Sequence, residues 1–313
     1  MSFSADVKNE VARSEEQKNC CTLAEIAGFI RMCGSVKLSG GSKLDLKITT
    51  ENPAIARAFL KRIKSYFGVN ANLKIGQNNL LKKGYIYELT IGAENNAEQI
   101  LRETGILRVK EGHNYFPDDI SSDLVKTRCC KRAYLRGAFL GAGTVSHPEK
   151  SYHMEIVCSS LALAHDLKRL INSFGFRSKV TTRRNSHVVY LKESEQISDF
   201  LALIGANKHV LEFENVRIIK ELRNKTNRIV NCESANLDKT INSASRQIEM
   251  IRLIESKGGL ACLPKKLREI ALLRLEHPES SLAELGQMLE PPLKKSGVNH
   301  RFRKLEEIAE RFR

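Results

Sequence analysis

The sequence predicts an α+β protein in which a duplicated αββαββα domain is followed by an all-α domain. Three observations carry this reading. Two vicinal cysteine pairs, Cys20-Cys21 and Cys129-Cys130, stand 109 residues apart, and the text behind each runs in parallel. Strand signals cease near residue 212, where helical periodicity takes over. Towards the C-terminus a capped helix, a double proline and a basic amphipathic helix follow one another. The expected divisions are a duplicated domain over 1–211 (units about 15–107 and 124–211), a basic linker helix over 212–227 and a helical domain over 228–313.

Within the repeat, Cys20-Cys21-Thr22-Leu23-Ala24-Glu25-Ile26-Ala27-Gly28-Phe29-Ile30 leads to Gly34-Ser35-Val36, and Cys129-Cys130-Lys131-Arg132-Ala133-Tyr134-Leu135-Arg136-Gly137-Ala138-Phe139-Leu140 leads to Gly143-Thr144-Val145. Each copy is a small-residue helix with glycines six apart, running into a β-branched strand start. Ile48-Thr49-Thr50 then parallels Ile156-Val157-Cys158, and the helix from Leu60 to Gly68 parallels that from Leu167 to Gly175. Offsets of 109, 108 and 107 drift only by loop-sized deletions, so duplication explains the matched order. In the second unit the strands fall near 152–158, 178–183 and 187–192, and the last two form a hairpin with Arg183-Arg184-Asn185-Ser186 at its tip. Closing helices are expected from Ala97 to Leu101 and from Gln196 to Ile204. Glycine at 28 and 34, and at 137 and 143, implies close backbone approach between two packed helices.

Past residue 212, Arg217, Lys220, Arg223, Lys225 and Arg228 mark a basic linking helix. Leu237, Ile241, Ala244, Ile248 and Ile251 recur at spacings of four and three, which predicts one buried helix face. Gly258-Gly259 ends that helix. Pro264 opens the next, with Leu267, Ile270, Ala271 and Leu275 inward, and Pro278 closes it. Ser281-Leu282-Ala283-Glu284 is a capping box, and Glu290-Pro291-Pro292 forces a turn. A second helix then begins near Leu293 or Lys294. Val298, Phe302, Leu305, Ala309 and Phe312 lie within about 40° of one meridian. Ser296, Asn299, His300 and Arg303 are thereby left on the open side, with Lys294, Lys295 and Lys304 at its flanks. A capped helix, a tight turn and a basic second helix make a helix-turn-helix.

Hydrophobic residues form 42% and charged residues 28% of the 313 residues, the balance of a folded domain protein. No run of 18 apolar residues and no apolar N-terminal core are present, so neither a transmembrane helix nor a secretory signal is expected. The net charge of +15 points to an anionic partner, most commonly nucleic acid. Of that excess, +11 lies in the first 227 residues and only +4 in 228–313. Two contacting surfaces are therefore expected: the terminal one for base edges, and the duplicated domain, including Arg183 and Arg184, mainly for phosphate. None of the eight cysteines shows the C-x-x-C spacing of zinc or redox sites. His147, His153 and Cys158 come nearest to a cluster, and the thiols read as reduced and mostly buried. No metal or cofactor is expected. Phosphate-loop, dinucleotide and serine-hydrolase motifs are missing.

Helices of Gly-x5-Gly type, one per αββαββα unit, are similar to those of the LAGLIDADG homing endonucleases. That resemblance implies a positively charged surface of strands in the DNA major groove and an acid before the last glycine that binds the catalytic metal. The chain resembles the WhiA family of bacterial regulators of cell division and sporulation more closely still. Four segments carry that likeness in order: 133–140, 150–156, Asn227-Arg228-Ile229-Val230-Asn231-Cys232-Glu233-Ser234-Ala235-Asn236, and Lys295-Ser296-Gly297-Val298-Asn299-His300-Arg301. The positions before the last glycines are Cys33 and Ala142, and three residues before those glycines stand Arg31 and Leu140. A thiol is a poor ligand for magnesium and a methyl group is none, while Glu25 and Glu155 lie elsewhere on their elements. The expectation is a non-enzyme.

Taken together, the sequence reads as a cytoplasmic, nucleoid-associated protein that binds specific double-stranded DNA. Roles in transcription, cell division, chromosome segregation and sporulation come from the resemblance alone. Two rivals stay open: a scaffold for division proteins with incidental DNA binding, and an active nuclease; division or transcription proteins are the protein partners the reading allows.

Overall fold

The computed structural model describes residues 2–14, 18–40, 43–78, 84–184 and 186–312. These form two compact units that divide between Ile219 and Lys220.

The first unit opens with α1 (Phe3–Ala12), which the sequence reading missed although Phe3, Val7 and Val11 recur every four residues behind the Ser2 cap. The first repeat follows as α2 (Asn19–Cys33), β1 (Gly34–Ser39), β2 (Lys43–Thr50), α3 (Pro53–Phe67), β3 (Asn72–Asn78), β4 (Gly84–Ile91) and α4 (Ala97–Glu103). A small hairpin, β5 (Arg108–Lys110) with β6 (His113–Tyr115), leads to the second repeat. That repeat comprises α5 (Arg128–Ala142), β7 (Gly143–Val145), β8 (Met154–Cys158), α6 (Leu161–Asn172), β9 (Lys179–Arg183), β10 (Ser186–Leu191) and α7 (Ser194–Ile204). The two sheets share one order, β1-β2-β4-β3 and β7-β8-β10-β9, all antiparallel. The duplication is therefore one of topology as well as text. Strand boundaries shift from the expected ones by one or two residues, and Asn185 lies outside the described residues.

The seam between the repeats is α2 against α5. A Cβ on Gly28 would stand 2.3 Å from the Tyr134 carbonyl oxygen, and one on Gly137 would stand 2.0 Å from that of Glu25. Gly28 and Gly137 are equivalent at an offset of 109, and so are Glu25 and Tyr134. The contact is thus reciprocal, the signature of a two-fold relation. Gly141 joins this seam, its Cβ position lying 2.7 Å from Met32 Cβ. Gly34 and Gly143 do something different from what was expected. A Cβ on either would strike its own helix's last turn, at Ile30 O (2.5 Å) and Phe139 O (2.7 Å). Both glycines sit extended at the C-caps, so each helix passes into its strand with no loop.

Glu25 is completely buried at the seam, between Arg62 of α3 (3.4 Å) and Arg136 of α5 (3.5 Å). Arg136 also donates through Nε to the Ile204 carbonyl at 3.1 Å. A carboxylate taken out of water needs such company, because an isolated buried ion costs several kcal/mol. Around this centre the inner faces of both sheets close one core, in which Phe29 stacks on Phe59 at 3.6 Å.

α8 (Asn207–Gly258) is a single 52-residue helix containing the unit boundary. The expected linker helix and the helix after it are continuous, since neither glycine nor proline occurs between 207 and 257 to interrupt them. Leu237 and Ile241 are 60% and 50% exposed rather than buried, and burial on α8 resumes only at Ala244. Periodicity marks a face fit for burial, but among the described residues no element covers this stretch. The second unit continues with α9 (Lys265–Glu276), α10 (Leu282–Gln287) and α11 (Lys295–Glu310). Its core joins Ile251, Ile254, Leu267, Ile270, Leu285, Val298, Phe302 and Leu305. Leu275 is only half-buried, and Arg274 takes the inward place instead. At 100° per residue Arg274 falls about 20° from the Leu267 meridian and Leu275 about 80°. Its guanidinium donates to Gln247 Oε1 (3.0 Å) and the Ser280 carbonyl (2.6 Å), and lies 5.7 Å from the Phe302 ring centroid.

The seam makes a direct prediction. Gly137→Ala is expected to cost at least about 3 kcal/mol, because the obstacle is backbone rather than a pliable side chain. Gly76→Ala, with nothing within 4 Å of its Cβ position, should change stability by less than about 0.5 kcal/mol. Urea unfolding of both variants measures the difference, and equal shifts would contradict a tight seam.

Candidate nucleic-acid interface

Ser281 starts the helix-turn-helix. Its hydroxyl accepts from the Glu284 backbone N–H at 3.3 Å, and the Glu284 carboxylate accepts from the Ser281 N–H at 2.7 Å. Those bonds hold the Glu284 carboxyl below its usual range, so the cap is charged and matched to the helix N-terminus. After α10 the chain turns back tightly enough that Leu293 N–H donates to the Gly286 carbonyl at 2.8 Å. A side chain at 286 would meet Leu293 O at 2.2 Å. This contact sets α10 against α11.

On α11 the buried side chains are Val298, Phe302, Leu305 and Ala309, while Phe312 lies half-buried just beyond the helix. Lys294, Lys295, Ser296, Asn299, His300, Arg303 and Lys304 are all exposed. They do not share one environment. Asn299, Arg303 and Glu306 line a groove of about 730 Å³ whose opposite wall is Lys239, Asn242 and Arg246 of α8. Ser296 and His300 lie farther round the helix, opposite Val298. Arg301 is tied down elsewhere, donating to the Lys266 carbonyl at 3.2 Å. Lys239 and Arg246 were missed by sequence reasoning, which followed the apolar stripe of α8 and not its cations.

In the first unit the outward side chains follow from strand register. Lys37, Lys47 and Lys74 share the outer face of the first sheet with Asp45 and Glu88. Lys47 is bonded to the Glu88 carboxylate and, with Lys37 and Lys74 nearby, holds it below the usual range. Period-two alternation could have shown these lysines. On the second sheet Arg183 pairs with Glu155 at 2.9 Å, and His153 Nε2 lies 2.9 Å from the same carboxylate. Both partners meet one oxygen of Glu155, Oε2. Arg184 occupies the turn with a left-handed φ of 51° and is exposed.

Cys33 and Ala142 stand at the C-terminal ends of the seam helices. The Cys33 thiol donates to the Phe29 carbonyl at 3.2 Å, and burial pushes its pKa up to about 12. Lys8 of α1 is brought to the same region, where burial lowers it to about 8. Glu25 is held in the seam, and Arg31 donates to the carbonyls of Pro117 (2.7 Å) and Gly105 (3.1 Å). The residues around His147, His153 and Cys158 are engaged separately. His147 packs edge-on to Phe3, His153 bonds Glu155, and Cys158 lies in the core. The cluster that does form was not foreseen: Cys20, Cys21, Cys129 and Cys130 meet at the other end of the seam. Among the described residues no helix is long and apolar enough to cross a membrane.

Three family models match in order: the WhiA N-terminal LAGLIDADG-like domain over residues 19–107, the WhiA LAGLIDADG-like domain over 131–223 and the WhiA C-terminal HTH domain over 226–309. A probable cell division protein WhiA of Clostridium perfringens is 51% identical over 313 residues, covering 100% of this chain and 99% of that protein. Its counterpart in Alkaliphilus metalliredigens is 48% identical with the same coverage. The crystal structure of full-length DUF199/WhiA from Thermatoga maritima superposes with a TM-score of 0.59 at 27% identity, covering 100% of this chain and 99% of that one. Domain order, topology and near-complete alignment agree, and the chain belongs to the WhiA family.

Proposed function

We propose that this chain is a sequence-specific DNA-binding protein that regulates transcription in bacterial cell division, with a LAGLIDADG-like domain that holds DNA without cutting it. The observation that carries the reading is the construction of α11. Val298, Phe302 and Leu305 are anchored in a core, which leaves an exposed polar and cationic face whose side chains make no hydrogen bond or ion pair among the described residues. Ser296, Asn299, His300 and Arg303 are the side chains for base edges, and Lys294, Lys295 and Lys304 the ones for phosphate. Arginine and asparagine suit bidentate contacts to guanine and adenine, each worth roughly 1–3 kcal/mol of discrimination. The outer sheet faces, with Lys37, Lys74, Arg183 and Arg184, supply further phosphate contacts. Chromosome segregation, sporulation and nucleoid association are the wider roles this reading favours, with division or transcription proteins as partners.

The expected absence of cleavage rests on the ends of the seam helices. A neutral thiol and a methyl group offer nothing to magnesium, and Glu25, two turns back along α2, is committed to Arg62 and Arg136. The bury-and-pair arrangement makes its release cost several kcal/mol.

Titration of specific and scrambled duplexes at several salt concentrations tests the interface. Arg303→Ala or Asn299→Ala is expected to weaken specific binding about 5- to 100-fold and random binding far less. Lys294→Ala or Lys304→Ala should weaken both alike and reduce the salt slope by about one. Unchanged specificity in the first pair would remove α11 from base reading. In magnesium or manganese, incubation with the preferred duplex is expected to leave both strands intact; specific double-strand cleavage would overturn the non-enzymatic reading.

A further inference from the structure

We propose that Cys20, Cys21, Cys129 and Cys130 form a four-thiolate site for a thiophilic divalent cation, zinc foremost. The pairs occupy equivalent places, the second and third residues of α2 and of α5. All four sulfurs lie within 4.8 Å of one another. Tetrahedral zinc with Zn–S bonds of about 2.3 Å places its sulfurs about 3.8 Å apart, so side-chain rotation of an ångström or less closes the set.

Chemistry and position agree with that assignment. Four sulfur donors with no carboxylate or imidazole among them select a soft ion over magnesium or calcium. Each pair lies in the first turn of a helix, where free N–H groups and the helix dipole favour thiolate over thiol. Thr127 Oγ1 lies 3.1 Å from the Cys129 sulfur, a hydrogen-bond partner for a coordinated thiolate. Four thiolates and one divalent ion carry a charge of −2, and Lys18, Arg128 and Lys131 flank the pairs in sequence. Simple core packing accounts for the two buried sulfurs, Cys21 and Cys130. It does not account for the exposed Cys20 and half-exposed Cys129 converging on the same point.

The site is separate from the position that carries a catalytic metal in the endonuclease-like motif. Cys33 and Ala142 stand about 18 Å away at the far ends of the same helices, at 1.5 Å per residue. An ion here would join the two repeats across their seam and add its binding free energy to folding. C-x-x-C spacing could not reveal the site, because each helix contributes a vicinal pair and the topology completes the quartet.

The test is elemental analysis of the full chain, purified under reducing conditions and then exchanged with cobalt. One zinc per chain is expected, together with cobalt absorption showing thiolate-to-metal charge transfer and tetrahedral coordination. Thiol titration should find four fewer reactive cysteines before chelator than after. The variant Cys20→Ser/Cys129→Ser, altered at the two less buried positions, should lose the metal while keeping its circular dichroism. The proposal is overturned by a metal-free chain whose thiols all react before chelation. It is equally overturned by an inter-helix disulfide, by iron with acid-labile sulfide, or by metal retained when all four cysteines are serine. The measurements on the unmodified chain decide the matter even if a variant fails to fold.

Discussion

The closest constraint in this molecule is the backbone contact of α2 with α5. Gly28 and Gly137 each bring a helix against the other's carbonyl, at distances that exclude any side chain. The sheets inherit their positions from it. Because Gly34 and Gly143 pass from helix to strand without a loop, β1 and β7 start where the seam helices end. The remaining strands are hydrogen-bonded outward from them in the same order. Glu25, clamped by arginines from both repeats, makes separation of the halves costly as well as sterically unnatural. A buried ion trio of this kind is weak evidence for net stability; what it does geometrically is tie α2 to α3 of its own repeat and to α5 of the other.

On the proposed non-cutting reading, the same seam separates the LAGLIDADG-like scaffold from the chemistry of its helix ends. The packing of the glycine helices depends on residues 28, 137 and 141, whereas metal binding at the helix ends depends on the residues before 34 and 143. These demands are separable. Cys33 hydrogen-bonds back into its own helix, and α1 brings Lys8 to the region that would otherwise face a cation. What the scaffold retains is two sheet faces carrying lysine and arginine, set by strand alternation alone.

Much of this was legible beforehand. The repeat, the glycine pair at the seam, the capping box and the buried stripe of α11 each rest on local rules with a fixed period or spacing, and each appears in the structure. What escaped the reading depends on distance in sequence or on the absence of a partner. Leu237 and Ile241 have the spacing of a buried face yet lie open, because among the described residues no other element covers them. Arg274 enters a core despite its charge, since Gln247, Ser280 and Phe302 surround it from three segments. The cysteine quartet needs residues 109 apart to meet. The cations of the groove beside α11, Lys239 and Arg246, belong to a helix whose sequence signal is its apolar periodicity. Of the interface, the exposure of α11 was readable from its meridian; its neighbour across the groove was not.

Charge then links fold to function. Most of the excess of +15 belongs to the duplicated domain and the start of α8, so a protein that bound DNA through α11 alone would leave that excess without a role. On the proposed function, the sheet faces also touch phosphate. The direct measurement is the slope of log Kd against log salt for the full chain and for Lys37→Ala/Lys74→Ala, on one specific duplex. Loss of two phosphate contacts is expected to make the slope shallower by about two, at roughly 0.9 per contact, with the ratio of specific to random affinity unchanged. An identical slope in the two proteins would contradict the account and remove the lysines of the first sheet from the DNA interface.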